Sequence, residues 1–113
     1  MEYWHNNRCR KSREALAILN DLGVKPNVKE YLKFPPSVDE LKTVIDLLGI
    51  SPIELIRKNE SIFKEQFKGK VLTDDQWIEA MVEFPKLIER PILIANGKAI
   101  VARPPELVRE FLE

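Results

Sequence analysis

The sequence predicts an α/β fold, with a four-stranded mixed sheet built from a βαβ unit and a ββα unit and a helical insertion between the two halves. Three observations carry this expectation. A strand, helix and strand follow one another in roughly the first 30 residues. Near the other end, Asn96-Gly97 joins two apolar runs, a strong hairpin signal because both residues tolerate positive φ. Between them lie three capping boxes, which mark helix starts.

Met1–His5 reads as a short aromatic strand broken by Asn6-Asn7. From Arg10 to Leu22 the apolar residues Ala15, Leu16, Leu19 and Leu22 keep a helical period, and Gly23 stands at the C-terminal cap position. Val28–Leu32 is the second strand, interrupted by Lys29 and Glu30, and the crossover makes it parallel to the first. Helices are expected after Ser37-x-x-Glu40, Ser51-x-x-Glu54 and Thr73-x-x-Gln76. Arg57 then falls at the end of a helical stretch. The weakest pattern spans residues 58–70, where Phe63 and Phe67 keep helical spacing and Gly69 is a break. Ile92–Ala95 and Lys98–Ala102 form the hairpin, and Pro104-Pro105 leads a last helix with Leu107, Val108, Phe111 and Leu112 on one face. Without the middle helices the order is the thioredoxin-like one. The expectation is a single thioredoxin-like domain over 1–113 with its insertion at about 37–88.

Composition narrows the function. The chain has 113 residues, 44 % hydrophobic and 32 % charged, with 18 cations and 18 anions. That balance gives no bulk attraction to nucleic acid or to an anionic membrane. No apolar run approaches the roughly 20 residues of a membrane span, and no signal segment opens the chain. One cysteine excludes an internal disulfide, and one cysteine with one histidine cannot supply a typical four-ligand zinc site. Asp74-Asp75 reads as first-turn helix charge, not as a metal site. A reducing, cytoplasmic setting is the expected one.

Cys9 is the chemical focus. It lies after a strand and before a helix, where unpaired N–H groups and the helix dipole favour a thiolate. Arg8, Arg10, Lys11 and Arg13 add four cations beside it. A lone cysteine is commonly a buried structural residue. Four flanking cations are hard to bury, which favours an open electropositive site. A dithiol centre would need cysteine at position 12, where Ser12 stands, and a phosphatase loop would need arginine at position 15, where Ala15 stands. Any resolving thiol must therefore come from another molecule. Ser12 is placed to cap the helix or to bond the sulfur. His5, four residues before Cys9, is either a strand-end residue bonded to backbone or a tuner of the thiol. Arg90 precedes Pro91 at the hairpin entry and Arg103 precedes Pro104 at its exit. In a thioredoxin-like order the loop before the third strand faces the end of the first, which makes Arg90 a neighbour of Cys9. Pro91 can be cis in such a turn.

The run His5-Asn-Asn-Arg-Cys9-Arg-Lys-Ser-Arg-Glu14 resembles the opening motif of the ArsC family of glutathione/glutaredoxin-coupled arsenate reductases. So do Leu55-Ile-Arg57-Lys, Lys86-Leu-Ile-Glu-Arg90-Pro-Ile, Ala95-Asn-Gly97-Lys and Ala102-Arg103-Pro-Pro-Glu106. The resemblance spans essentially the whole chain. It implies that Cys9 is the catalytic nucleophile, that His5 and Ser12 tune its thiolate, and that Arg57, Arg90 and Arg103 bind the oxyanion. It further implies arsenate or a similar oxyanion as substrate, glutathione as co-substrate, glutaredoxin as partner, and no bound metal or organic cofactor. The family usually has proline where Asn7 stands and small neutral residues where Arg8, Arg10 and Lys11 stand, which points to a less characterised branch. The rival expectation is a non-enzymatic, Spx-like thiol switch or partner-binding protein of the same fold. Such proteins usually carry Cys-x-x-Cys, which Ser12 disfavours.

Overall fold

Aromatic Tyr3 and Trp4 pack on opposite sides of β1 (Glu2–Trp4), and the strand stops where Asn6 turns the chain. The computed structural model covers residues 1–113, which fall into two compact units: Met1–Phe34 with Arg90–Glu113, and Pro35–Glu89.

In the first unit, β1 leads to α1 (Arg10–Asp21) and then to β2 (Asn27–Lys29). Helix α1 ends in a Schellman pattern, with Gly23 at φ 77° and the Val24 N–H donating to the Leu19 carbonyl at 2.9 Å. The strand expected at Val28–Leu32 starts one residue earlier and ends at Lys29. Glu30 is instead the first residue of a turn, its carbonyl accepting the N–H groups of Lys33 and Phe34. Strands β3 (Ile92–Ala95) and β4 (Lys98–Val101) form the hairpin across Asn96 and Gly97, at φ 53° and 71°. The sheet order is β2-β1-β3-β4, with β1 parallel to β2 and antiparallel to β3. This is the mixed α/β sheet that the element order predicts.

Tyr3 faces Leu93 in the ladder, and both pack with Ala15 and Leu19 of α1 and Val108 of α5 (Leu107–Phe111). Leu19 and Leu93 are fully buried, each stabilising the unit by about 1.5–3 kcal/mol. This packing fixes the N-terminal end of α1 against the end of β1. On the other side Trp4 stacks on Tyr31, with the Lys29 ammonium 5.3 Å from its ring. The Arg90–Pro91 and Arg103–Pro104 peptide bonds are both cis.

In the second unit, α2 (Val38–Leu48) packs on α4 (Asp74–Glu83) through buried Leu41, Val44, Ile45, Trp77, Ile78 and Met81. Short α3 (Ser61–Gln66) places Phe63 and Phe67 against Trp77. The helix expected after Ser51 does not form. Pro52–Leu55 makes one 3-10 turn, with the Ser51 N–H and hydroxyl both held by the Glu54 carboxylate. The chain then turns extended, because Ile56 bridges Ile88: the Arg57 N–H donates to the Leu87 carbonyl at 2.7 Å and Glu89 returns the bond to Leu55 at 2.9 Å. Arg57 therefore follows a bridge residue and does not end a helix. No helix is long and apolar enough to cross a membrane.

Candidate active site around Cys9

The loop between β1 and α1 is shaped by Asn6. Its side-chain oxygen accepts the Arg8 N–H at 3.0 Å, and its carbonyl accepts the Cys9 N–H at 3.0 Å. These bonds turn the chain so that Cys9 becomes the N-cap of α1, in extended conformation. At the cap position its carbonyl accepts the Arg13 N–H while its sulfur faces the first turn of the helix. Cys9 is half-buried and free.

Partial burial pushes the Cys9 thiol up. The backbone N–H of Ser12, the Arg90 guanidinium by hydrogen bond and by charge, and the backbone N–H of Lys11 outweigh it, so the pKa lies below the ordinary value. These donors act on the charged form; the neutral thiol makes no capping bond of its own. Arg90 therefore sits beside Cys9, as the order of elements predicts. The four cations expected to lower the pKa do not stand among its causes. Arg8, Arg10, Lys11 and Arg13 are exposed, where solvent screens them, and Arg10 and Lys11 share Glu14 at 3.0 and 3.6 Å.

Ser12 is fully buried and ties the site together. Its N–H faces the sulfur. Its hydroxyl turns the other way, accepting the Asn6 N–H at 3.1 Å and meeting His5 Nδ1 at 2.7 Å. Burial holds His5 below its ordinary pKa, with Glu30 opposing and Arg13 reinforcing that shift. A neutral ring accepts the Ser12 proton at Nδ1. His5 thus bonds Ser12 and not the sulfur, and any influence on Cys9 passes through the first turn of α1.

Two residues of this network have no counterpart in the sequence expectations. Asn6 appears there only as a strand breaker. Tyr3 appears only as part of the strand, yet its buried hydroxyl donates to the Ser12 carbonyl. Burial, with the Cys9 charge adding to it, pushes the phenol up to about 12. A tyrosine nine residues from a serine carries no spacing signal, so this link is visible only in three dimensions.

The three arginines differ. Arg90 meets the sulfur. Arg103 is exposed at the exit of β4, and its Nη1 donates to the Arg90 carbonyl at 3.5 Å. Arg57 belongs to the second unit, its side chain 13 % exposed and flanked by Glu60 at 3.5 Å and Glu89 at 3.7 Å. No group of three or more histidine, cysteine, aspartate or glutamate side chains comes together as a metal site would need.

Comparison with known proteins gives a consistent result. The model of the ArsC family matches residues 4–111. The chain is 44 % identical to the uncharacterised protein YfgD of Escherichia coli (strain K12), over 99 % of this chain and 96 % of that one. It is 38 % identical to an arsenate reductase of Neisseria meningitidis serogroup A, over 99 % and 97 % of the two chains. The solved arsenate reductase of Vibrio cholerae superposes with a TM-score of 0.91 at 46 % identity, covering 97 % of each chain.

Proposed function

The chain belongs to the ArsC family, and from that premise we propose that it reduces arsenate, or a similar tetrahedral oxyanion, through a thiolate adduct on Cys9. The observation that supports this most directly is the set of donors around the sulfur: the N–H groups of Ser12 and Lys11 and the guanidinium of Arg90. They favour the nucleophilic thiolate over the neutral thiol, and the sulfur stays half-exposed.

In the proposed reaction the Cys9 thiolate attacks arsenic(V). A sulfur–arsenic bond forms, and one oxygen leaves as water after taking up protons. Arg90 and Arg103 neutralise charge on the remaining oxygens; the planar guanidinium matches two of them at once. Arg57 joins this set on the family motif Leu55-Ile-Arg57-Lys. A glutathione thiolate then attacks the Cys9 sulfur. The new disulfide forms as the sulfur–arsenic pair stays on arsenic, which leaves as arsenite, reduced by two electrons. Glutaredoxin takes the glutathione in a second exchange and frees Cys9. The electrons come from thiols, so the scheme calls for no bound metal or organic cofactor, and a reducing cytoplasm would keep those thiols supplied.

Arsenite release by the purified protein with arsenate, glutathione and glutaredoxin tests this proposal. Turnover that disappears in Cys9→Ser is expected. Absence of turnover in the wild type with any thiol donor would overturn it, in favour of a thiol switch or partner-binding protein of the same fold.

A further inference from the structure

Ser12 is held at two points from one face of β1. Tyr3 and His5, two positions apart, share that face, with ring centroids 5.6 Å apart. His5 Nδ1 bonds the Ser12 hydroxyl at 2.7 Å, and the Tyr3 hydroxyl donates to the Ser12 carbonyl. Tyr3 and Ser12 are both fully buried, so solvent cannot substitute for this second bond. The phenol is itself fixed in place. Tyr3 is the middle residue of β1, paired with Val28 of β2 on one side and Leu93 of β3 on the other. An apolar side chain would fill this core position without the cost of burying a hydroxyl. The Ser12 carbonyl has its helical partner four residues on, so α1 does not need the phenol in order to form. Packing and helix formation therefore leave the hydroxyl unexplained. The peptide unit that it bonds also carries the Arg13 N–H, which donates to the Cys9 carbonyl at 3.0 Å. The bonds run in series from the phenol O–H through the Ser12–Arg13 peptide to the Cys9 carbonyl, and bonds so arranged polarise one another in a dry interior.

We propose that Tyr3 is a positioning residue for Cys9, its hydroxyl anchoring the first turn of α1 to the middle of the sheet through the Ser12–Arg13 peptide. The proposal rests on Cys9 being the reacting thiol, as in the reaction above, and does not depend on the identity of the oxyanion. Fully buried, Tyr3 cannot reach a substrate, so its action passes through the helix. It fixes the cap carbonyl of Cys9 and, in the same turn, the Lys11 and Ser12 N–H groups that face the sulfur. The phenol, pushed up to about 12, stays a neutral donor throughout the range in which the thiol titrates.

Tyr3→Phe tests it, read by the pH profile of Cys9 alkylation with the neutral reagent iodoacetamide. The variant keeps the ring in the core, and the Ser12 carbonyl keeps its helical bond, so the fold is retained. The midpoint should rise by about half a unit, slowing alkylation about threefold below it, while the plateau at high pH stays within about twofold. An unchanged plateau shows that access to the sulfur is intact. Thr73→Ala removes the side-chain acceptor of the Gln76 N–H at the start of α4, a loss of stability in the second unit, and should leave the midpoint unmoved. A Tyr3→Phe midpoint equal to that of wild type, or a rise matched by Thr73→Ala, would overturn the proposal. A raised midpoint in a protein that releases no arsenite would overturn the arsenate reaction and leave the role of Tyr3 supported.

Discussion

At the start of α2, Ser37 accepts the Glu40 N–H and Glu40 returns its carboxylate to the Ser37 N–H, with Asp39 also in the first turn. At the start of α1 the cap is Cys9, the first turn has no acidic residue, and the N–H groups of Lys11 and Ser12 face a sulfur. Both helices present the same unpaired donors and the same partial positive charge. In α2 they are satisfied by the chain itself and contribute to folding. In α1 they act on a thiol whose charge state is variable. A helix start that omits the usual oxygen cap and the first-turn carboxylate keeps its field for another group, here a thiol whose ionised form it favours.

The strongest way to break this comparison is Cys9→Ser. The serine keeps a capping oxygen, so the fold should survive, while arsenite release falls to background and the sole site of thiol alkylation is lost. The same variant has a pH signature. Because the Cys9 pKa is lowered on folding, its contribution to stability is complete above the unfolded value and disappears as pH falls through the folded one. Wild type should therefore gain stability relative to Cys9→Ser as pH rises through that window in paired unfolding curves. Parallel curves, or retained turnover, would show that α1 holds no special charge.

Arginine substitutions come next. Arg90→Lys and Arg103→Lys keep charge but lose the planar fork, and each should lower turnover efficiency by about one to three orders of magnitude, roughly 1.4–4 kcal/mol. Arg57→Lys should lose less, because Glu60 and Glu89 already compensate its charge. Equal losses at all three positions would remove that distinction, and unchanged kinetics at Arg90 and Arg103 would make them ordinary solvated charges.

A smaller effect is expected behind the sulfur. Ser12→Ala leaves the Asn6 N–H and His5 Nδ1 without their partner in a buried setting, at a cost of about 1–3 kcal/mol of stability. Wild type itself should lose stability on acidification. Burial lowers the His5 pKa, so the contribution of the neutral ring is complete above about 6.5 and fades as pH falls through the folded value. His5→Gln should flatten that acid limb in pH-dependent denaturation, and an unchanged limb would assign it to the carboxylates.

The start of α1 was legible from local rules, since the aromatic strand, the Asn6-Asn7 break and the apolar period after Arg10 all lie within a few residues. The hairpin at Asn96-Gly97 and the Ser37 and Thr73 caps were legible for the same reason. Arg57 shows where such rules stop. Its capping-box residues Ser51 and Glu54 are both present and bonded, yet the backbone bonds from Arg57 to Leu87 and from Glu89 to Leu55 pull the segment into a bridge after one turn. A partner more than thirty residues away overrides a good local signal, and nothing near Ser51 announces it. The four cations beside Cys9 mislead differently: sequence proximity suggests an effect on acidity, while exposure transfers that role to Arg90, which is distant in sequence and adjacent in space.

Ser37→Ala is the fine adjustment of the comparison. It removes the acceptor of the Glu40 N–H at the start of α2, an exposed cap of ordinary geometry, so stability should fall by about 1 kcal/mol. Cys9 draws its acidity from the first turn of its own helix and from Arg90, so its pKa should not move. The two quantities are separable by denaturant unfolding and by the pH dependence of alkylation on one sample. If the cap at Ser37 changed the thiol, helix starts in this chain would be coupled through global stability, and the acidity of Cys9 could not be assigned to the donors that face it. A stability loss with an unmoved thiol would localise the thiolate's support to α1 and the Arg90 loop.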